Sequence, residues 1–429
     1  MKISPDALAA ALARETGPDA VSADPALVDR HSVDRQVPKV LCQVFAAEEV
    51  GAVLRVCAEA GAAVLPWGGG TLMSLGNIPK RVDVVLKLDR LARLVEHDDA
   101  NLTATAEAGI TAAAFRNLLA ERRQFLPVDP SRPTEATLGG IAAANINGPR
   151  RPLYGGMRDL VIGMKMVLAT GEQVKAGGKV VKNVAGYDLA KLFIGSLGTL
   201  GVITELTFRV SPLPEVAASF VATGAPQRCL DFAKAISNSA LLPSALVIAG
   251  PENNGDASRA VAWIEGFEEA VARHLRDLTA AAERAGLDPG VLRDAPHDSL
   301  WQELGGFGWG SNGILCRLTV PIETIETLVP QLTSESAPGR RAQYVCHYGT
   351  GVVWALMEPT TAGLELYGEL AAVVRQYRGH SIIVSAPAAL KQNLDVWGEP
   401  PTTLALMRRI KQQFDPDGIL SPGRFVNRL

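Results

Sequence analysis

The chain is poor in the residues from which many sites are assembled. Cysteine occurs only five times in 429 residues, at Cys42, Cys57, Cys229, Cys316 and Cys346, and never with C-x-x-C spacing. An odd, scattered set excludes a disulfide framework and gives this chain alone no zinc or iron–sulfur ligation; buried free thiols in a reducing compartment are expected instead. Charge of one sign is equally scarce. The 42 Lys and Arg nearly balance 45 Asp and Glu, for a net charge of −3 without any basic run, so the footprint of a nucleic-acid binder is missing. Long apolar runs are absent too. Residues 60–79 form the longest uncharged stretch, but five glycines and two prolines within it rule out a continuous lipid-facing helix. Residues 1–20 carry Asp6, Arg14, Glu15 and Asp19 where a signal peptide would be apolar, and read as an amphipathic surface helix; a cytoplasmic protein is expected.

What the chain has is glycine. Three glycine-rich, nearly charge-free segments follow one another: Pro66-Trp67-Gly68-Gly69-Gly70-Thr71, then Pro133-Thr134-Glu135-Ala136-Thr137-Leu138-Gly139-Gly140, then Gly195-Ser196-Leu197-Gly198-Thr199-Leu200-Gly201-Val202-Ile203-Thr204. Glycine removes the side-chain wall of a loop and lets backbone N–H groups close on an anion, so three such segments suggest a long, diphosphate-bearing cofactor. Taken singly, each also reads as a turn or a tight helix–sheet contact. The first lacks the G-x-G-x-x-G spacing of a Rossmann turn and the Gly-Lys-Ser/Thr of a Walker loop, which leaves a nest of donors beside the Thr71 and Ser74 hydroxyls. The second continues through Ala143, Asn145 and Gly148, small enough to leave a slot for a flat ring, with polar groups at Thr137, Asn145 and Asn147.

A chain of this length, 47% hydrophobic, fills two or three domains. Its first half alternates strands (residues 40–44, 62–65, 82–86, 102–108) with helices (47–60, 111–123), then forms a hairpin around Thr170-Gly171 and a strand at 202–210. Ser211-Pro212-Leu213-Pro214 blocks both helix and ladder, marking a boundary. Beyond it, two rounds of strand, helix and strand (245–249, 260–265, 267–285; 314–320, 364–377, 381–385) predict an α+β domain with helices on one face of an antiparallel sheet. A helix at 403–414 and a turn-rich but apolar tail are expected to return to the first domain. The divisions are therefore 1–212, 213–400 and 401–429.

These segments together resemble the FAD-binding half of the vanillyl-alcohol oxidase/p-cresol methylhydroxylase (PCMH-type) flavoproteins. Lys182-Asn183-Val184-Ala185-Gly186-Tyr187-Asp188-Leu189, residues 195–205 and residues 415–423 are similar to the branch that contains D-lactate dehydrogenase and glycolate oxidase, and within it to the E-type subunits of glycolate oxidase. The resemblance runs through most of the chain and is strongest over 38–212 and 403–425. It implies two small α/β subdomains with FAD between them and a ferredoxin-like α+β cap domain. It places Pro66, Trp67, Gly68, Gly69, Gly70, Thr71, Leu72, Ser74, Pro133, Thr137, Gly139, Gly140, Ala143, Asn145, Gly148, Gly198, Val202 and Ile203 at the cofactor, with Arg424 near the flavin. Relatives with covalent flavin use histidine or cysteine near these loops. None lies between Cys57 and His97, so noncovalent FAD is implied.

Departures from the pattern are informative. Catalytic relatives carry H-x-G-D-G-N-x-H in the second domain; here the matching stretch is His347-Tyr348-Gly349-Thr350-Gly351-Val352-Val353-Trp354, which keeps one imidazole and loses the carboxylate, the carboxamide and the second imidazole, so no metal site is expected. Leu197 replaces a glutamate and Ser421 an asparagine. The resemblance thus implies an FAD subunit of a multi-subunit glycolate oxidase, acting as electron relay or supporting flavin subunit. Its partners would be a larger D-type flavin subunit and an F-type iron–sulfur subunit, with membrane contact through the complex and a small 2-hydroxy acid as substrate. Two alternatives stand beside it: a self-sufficient FAD-dependent 2-hydroxy-acid dehydrogenase using His347, His380 or Tyr344, and a non-redox scaffold. Trp301, Phe307 and Trp309 form a candidate partner surface or a roof over the flavin.

Overall fold

The computed structural model describes residues 4–178, 188–251, 257–333 and 341–429. Contacts divide it into two compact units, the first made of residues 1–146, 156–212 and 391–429, the second of 147–155 and 213–390. The stretch Lys182 to Tyr187 lies outside the described residues.

In the first unit, Val40–Gln43, Val84–Lys87 and Val64–Trp67 lie side by side as parallel strands, with Val21–Ser22 antiparallel at one edge. Val84, Val85 and Leu86 are all buried, the uninterrupted apolar run expected of a strand covered on both faces. Helix Ala47–Glu59 buries Val50, Val53, Leu54 and Cys57 on one stripe, each large side chain contributing about 1.5–3 kcal/mol. A second, antiparallel sheet runs in the order Leu94–Asp98, Thr103–Glu107, Val202–Arg209, Val161–Val167, Gln173–Gly177. Its register sets Glu205 directly opposite Glu107, a repulsive pairing offset by cations: Lys165 Nζ is 2.9 Å from Glu205, and Arg93 holds Glu107 at 2.7 Å.

The tail completes this unit. Leu420 pairs parallel with Val64; the Val64 N–H donates to the Ile419 carbonyl at 2.8 Å and the Ser421 N–H to the Val64 carbonyl at 2.9 Å, with Ile419 and Leu420 fully buried. Lys411 at the end of helix Leu404–Phe414 donates to the Thr199 carbonyl at 2.8 Å, the Leu420 carbonyl at 2.9 Å and the Asp415 carboxylate, so it fastens the third glycine segment to the tail. Residues 391–400, which the sequence reading assigned to the second domain, belong here because Asn77 binds Asp395 and the Val396 N–H, and Trp397 Nε1 donates to the Arg424 carbonyl.

The second unit is an eight-stranded antiparallel sheet in the order Asp288–Leu292, Val216–Gly224, Ser258–Gly266, Ala245–Gly250, Gln343–His347, Val352–Met357, Ile314–Thr319, His380–Ser385. Helices Pro226–Ser237, Glu268–Arg284, Ile325–Thr333 and Thr361–Gln376 pack on it; Phe232 meets Phe220 with ring centroids 6.0 Å apart. Residues 147–155 join this unit because Arg150 pairs with Glu265 at 3.2 Å and Tyr154 donates to the same carboxylate at 2.9 Å. Trp301 is an interior residue, not part of an exposed surface. Its Nε1 donates to Ser219 Oγ at 2.9 Å, and its ring lies 4.8 Å from Trp263. All five cysteines are buried and free.

Candidate functional site

The three glycine segments converge in the first unit. The strand Val64–Trp67 ends in the first of them, and the loop is pressed backbone to backbone against the second. A Cβ on Gly68 would lie 2.1 Å from Thr137 Oγ1, and one on Gly69 1.8 Å from the Glu135 carbonyl oxygen. Arg132 reinforces the junction by donating to the Thr71 carbonyl at 2.8 Å. The second segment becomes a short helix, Leu138–Ala144, whose start is capped by Thr137 Oγ1 accepting from the Gly140 N–H. Gly139 lets this helix meet the neighbouring strand: its N–H donates to the Ala108 carbonyl at 2.7 Å, and a Cβ would sit 2.7 Å from that of Ala108. The third segment threads past the helix end, the Gly195 and Leu197 N–H groups donating to the Ala142 and Ala143 carbonyls. Leu197 holds a positive φ of 52°, so the turn is shaped by that tie and not by glycine alone.

Between them lies a cleft that is partly open to solvent. Of the positions expected from the sequence, Pro66, Gly68, Gly69, Gly70, Thr71, Leu72, Thr137, Gly139, Gly140, Ala143, Gly198, Val202, Ile203 and Arg424 line it. Trp67, Ser74, Pro133 and Asn145 do not. The Trp67 ring turns to His31, 5.0 Å away, the Ser74 carbonyl accepts from Lys391, the Pro133 carbonyl accepts from the Ala113 N–H, and Asn145 ends the short helix with a left-handed φ of 50°. Gly148 belongs to the second unit. Leu88 and Ala108, which have no local signature, complete the wall from adjacent strand ends.

Among the described residues, Arg424 is the only charged one in that lining. It is 2% exposed, its Nη2 donates to the Met73 carbonyl at 3.0 Å and to the Leu75 carbonyl, and its Nη1 is buried with no partner. Burial pushes its pKa down to about 10; Asp34 is the one anion opposing this, and Asp34 is already bound to Lys391. An apolar, glycine-floored cleft with one uncompensated cation suits an elongated, flat, anionic ligand.

In the second unit, His347 ends strand Gln343–His347, the turn Tyr348–Thr350 follows, and Val352 opens the next strand. Thr350 Oγ1 donates to the His347 carbonyl at 3.1 Å, bracing the turn. Trp354 is buried, its ring 6.0 Å from that of Trp309 and 6.0 Å from the Arg317 guanidinium carbon. Among the described residues no cluster of three His, Cys, Asp or Glu side chains is arranged to hold a metal ion, and no helix is long and apolar enough to cross a membrane.

Comparison with known proteins decides the family. Residues 38–177 match the FAD binding domain, and residues 397–425 the C-terminal domain of FAD linked oxidases. The chain is 31% identical to the glycolate oxidase subunit GlcE of Escherichia coli over 345 residues, 78% of this chain and 85% of that protein. It belongs to the PCMH-type family of FAD-linked oxidoreductases. Glycolate oxidase subunit GlcD of Bacillus subtilis is 38% identical over 175 residues, but the match spans only 41% of this chain and 37% of GlcD. The fold agrees with that of p-cresol methylhydroxylase, at a TM-score of 0.76 and 16% identity, over 98% of this chain and 96% of that one. As a member of this family the chain is an FAD-dependent oxidoreductase. The glycine floor of the cleft fits such a cofactor.

Proposed function

We propose that this chain is the FAD-binding E-type subunit of a multi-subunit glycolate oxidase, working in the cytoplasm with a larger D-type flavin subunit and an F-type iron–sulfur subunit in the oxidation of glycolate, at its CH–OH group, to glyoxylate. The observation that carries this reading is the match to GlcE, which extends through 85% of that subunit. In this reading the residues lining the cleft hold FAD without a covalent bond, their backbone exposing donors and their small side chains admitting a flat ring. The bound flavin supplies hydride and one-electron chemistry, while the chain supplies orientation and electrostatics.

The chemistry of the 347–354 hairpin supports a relay or supporting role over a self-sufficient dehydrogenase. Proton abstraction from a hydroxy acid needs a poised base, and the family's metal-assisted version needs several ligands in one place. Here one imidazole remains, the Thr350 hydroxyl is committed to a backbone carbonyl, and Val352 and Trp354 donate nothing to a metal. The principal oxidation of glycolate is therefore assigned to the D-type partner.

Affinity purification of the chain from cells that carry its neighbouring genes tests the assignment. A second flavoprotein and an iron–sulfur protein should co-purify, and anaerobic glycolate should bleach the flavin of the complex much faster than that of the isolated chain. Equal bleaching rates would overturn the relay role, and a lone, fully active chain would overturn the subunit assignment.

A further inference from the structure

Leu197 stands in a backbone conformation that its own side chain opposes. Within residues 195–198 three positions are left-handed, with φ of 88° at Gly195, 52° at Leu197 and 67° at Gly198. Glycine takes that conformation freely, whereas in leucine the Cβ crowds the following carbonyl oxygen, so two of the three positions are filled as sterics ask and one is not. The turn itself does not need the leucine. Its tie to the short helix is the Leu197 N–H donating to the Ala143 carbonyl at 2.9 Å, a backbone bond that glycine would keep. What glycine would lose is the side chain. That side chain is half-buried, it lines the cleft, and its Cδ1 lies 3.3 Å from where a Cβ on Gly76 would stand. Gly76, itself at φ 101°, thus makes room for one side of the leucine, and the leucine contributes surface to the cleft. Strain of this kind is characteristic of positions that serve a ligand.

We propose that Leu197 is a binding residue for FAD, its side chain packing against one of the cofactor's two flat rings, and that the strained turn exists to present it. This deepens the functional reading above and rests on it. An aliphatic side chain has neither charge nor hydrogen bond to offer, so what it gains from a ligand is burial of apolar surface. In FAD the adenine and the isoalloxazine supply such surface, whereas the diphosphate and the ribityl chain are polar. Gly195 and Gly198 let the backbone pass without strain, and residue 197 gives up that ease to bring an apolar group to the cleft.

Calorimetry of the apoproteins, with titration of FAD and ADP, tests this. L197G removes the side chain and relieves the strain; L197N relieves it too, since asparagine enters the left-handed region more readily, but puts a polar group of similar size at the cleft. The L197G apoprotein should melt no lower than the wild type, and both variants should bind FAD about tenfold or more weakly. L197M, an apolar exchange of similar volume, should stay close to the wild type in FAD affinity. ADP assigns the ring: weaker ADP binding in L197G marks the adenine, and unchanged ADP binding with weaker FAD binding marks the isoalloxazine. Wild-type FAD affinity in L197G or in L197N overturns the proposal. So does an L197G chain that melts earlier or fails to fold, because the leucine would then serve the fold through its packing at Gly76. Failure of the wild-type chain to bind FAD at all would instead sink the functional reading.

Discussion

Lys391 Nζ lies 2.5 Å from Asp34 Oδ2 and 3.0 Å from the Ser74 carbonyl, both side chains buried, so one ammonium joins the N-terminal region, the first glycine loop and the C-terminal segment. Burial lowers the Lys391 pKa and Asp34 opposes that shift. Substituting K391M leaves Asp34 buried without its cation, a change that typically costs about 3–5 kcal/mol. The variant should melt earlier and its tail from residue 391 onward should become protease-sensitive. A melting curve and digestion pattern like the wild type would show the pair to be dispensable.

The glycines at 69 and 140 should respond differently to alanine. A Cβ at 69 meets the Glu135 carbonyl at 1.8 Å, so G69A must push two loops apart, destabilising the fold by about 1–3 kcal/mol or more. At 140 the one close contact is Thr137 Oγ1 at 3.1 Å, and alanine favours a helix. G140A should keep or raise its melting temperature while weakening FAD binding, because residue 140 faces the cleft. Calorimetry and flavin titration on the same samples read both effects; loss of stability in G140A with FAD affinity intact would contradict this division.

Stability should fall on the alkaline side. Burial raises the thiol of Cys42 to about 11 and that of Cys57 to about 12, above the ordinary value of 9.0. Between those limits the unfolded chain gives up protons that the native chain retains. The contribution is thus whole below pH 9 and is lost as pH rises through 11 to 12. Melting temperature recorded from pH 8 to 10.5 should decline, and C57A should decline less steeply than the wild type. Identical slopes would remove Cys57 from the explanation.

H347A should leave glycolate turnover by the assembled complex within about twofold, far from the roughly hundredfold or greater loss that follows removal of a general base. Steady-state assays of the reconstituted complex measure it directly. A loss of two orders of magnitude would return substrate chemistry to this subunit.

Several elements were legible because their signal is local. The helix expected at 47–60 occurs as Ala47–Glu59, and the strand expected at 202–210 as Val202–Arg209, since apolar spacing in each matches the face it buries. Leu138–Ala144 gives little such signal, because two glycines and three alanines fit a loop as readily as a helix; it is the Thr137 cap and the Ala108 contact that make it helical. The strand Val216–Gly224 is hidden for a related reason, its alternation blurred by Ala217, Ala218, Ser219 and Ala222.

The chain's own order of residues was enough to mark three glycine segments, the periodicity of most helices and strands, and a cofactor with a diphosphate. Tertiary structure alone decided which glycines face a neighbouring backbone, as Gly69 does, and which line the cleft most freely, as Gly140 does. It also decided that Lys391 takes Asp34 and that, among the described residues, Arg424 Nη1 has no hydrogen-bond partner. The physical reason is the same in each case. The space available to a Cβ, as Glu135 limits it at Gly69, and the pairing of a buried charge, as Lys391 meets Asp34 across 357 residues, depend on atoms that only the fold brings together, which spacing along the chain does not encode.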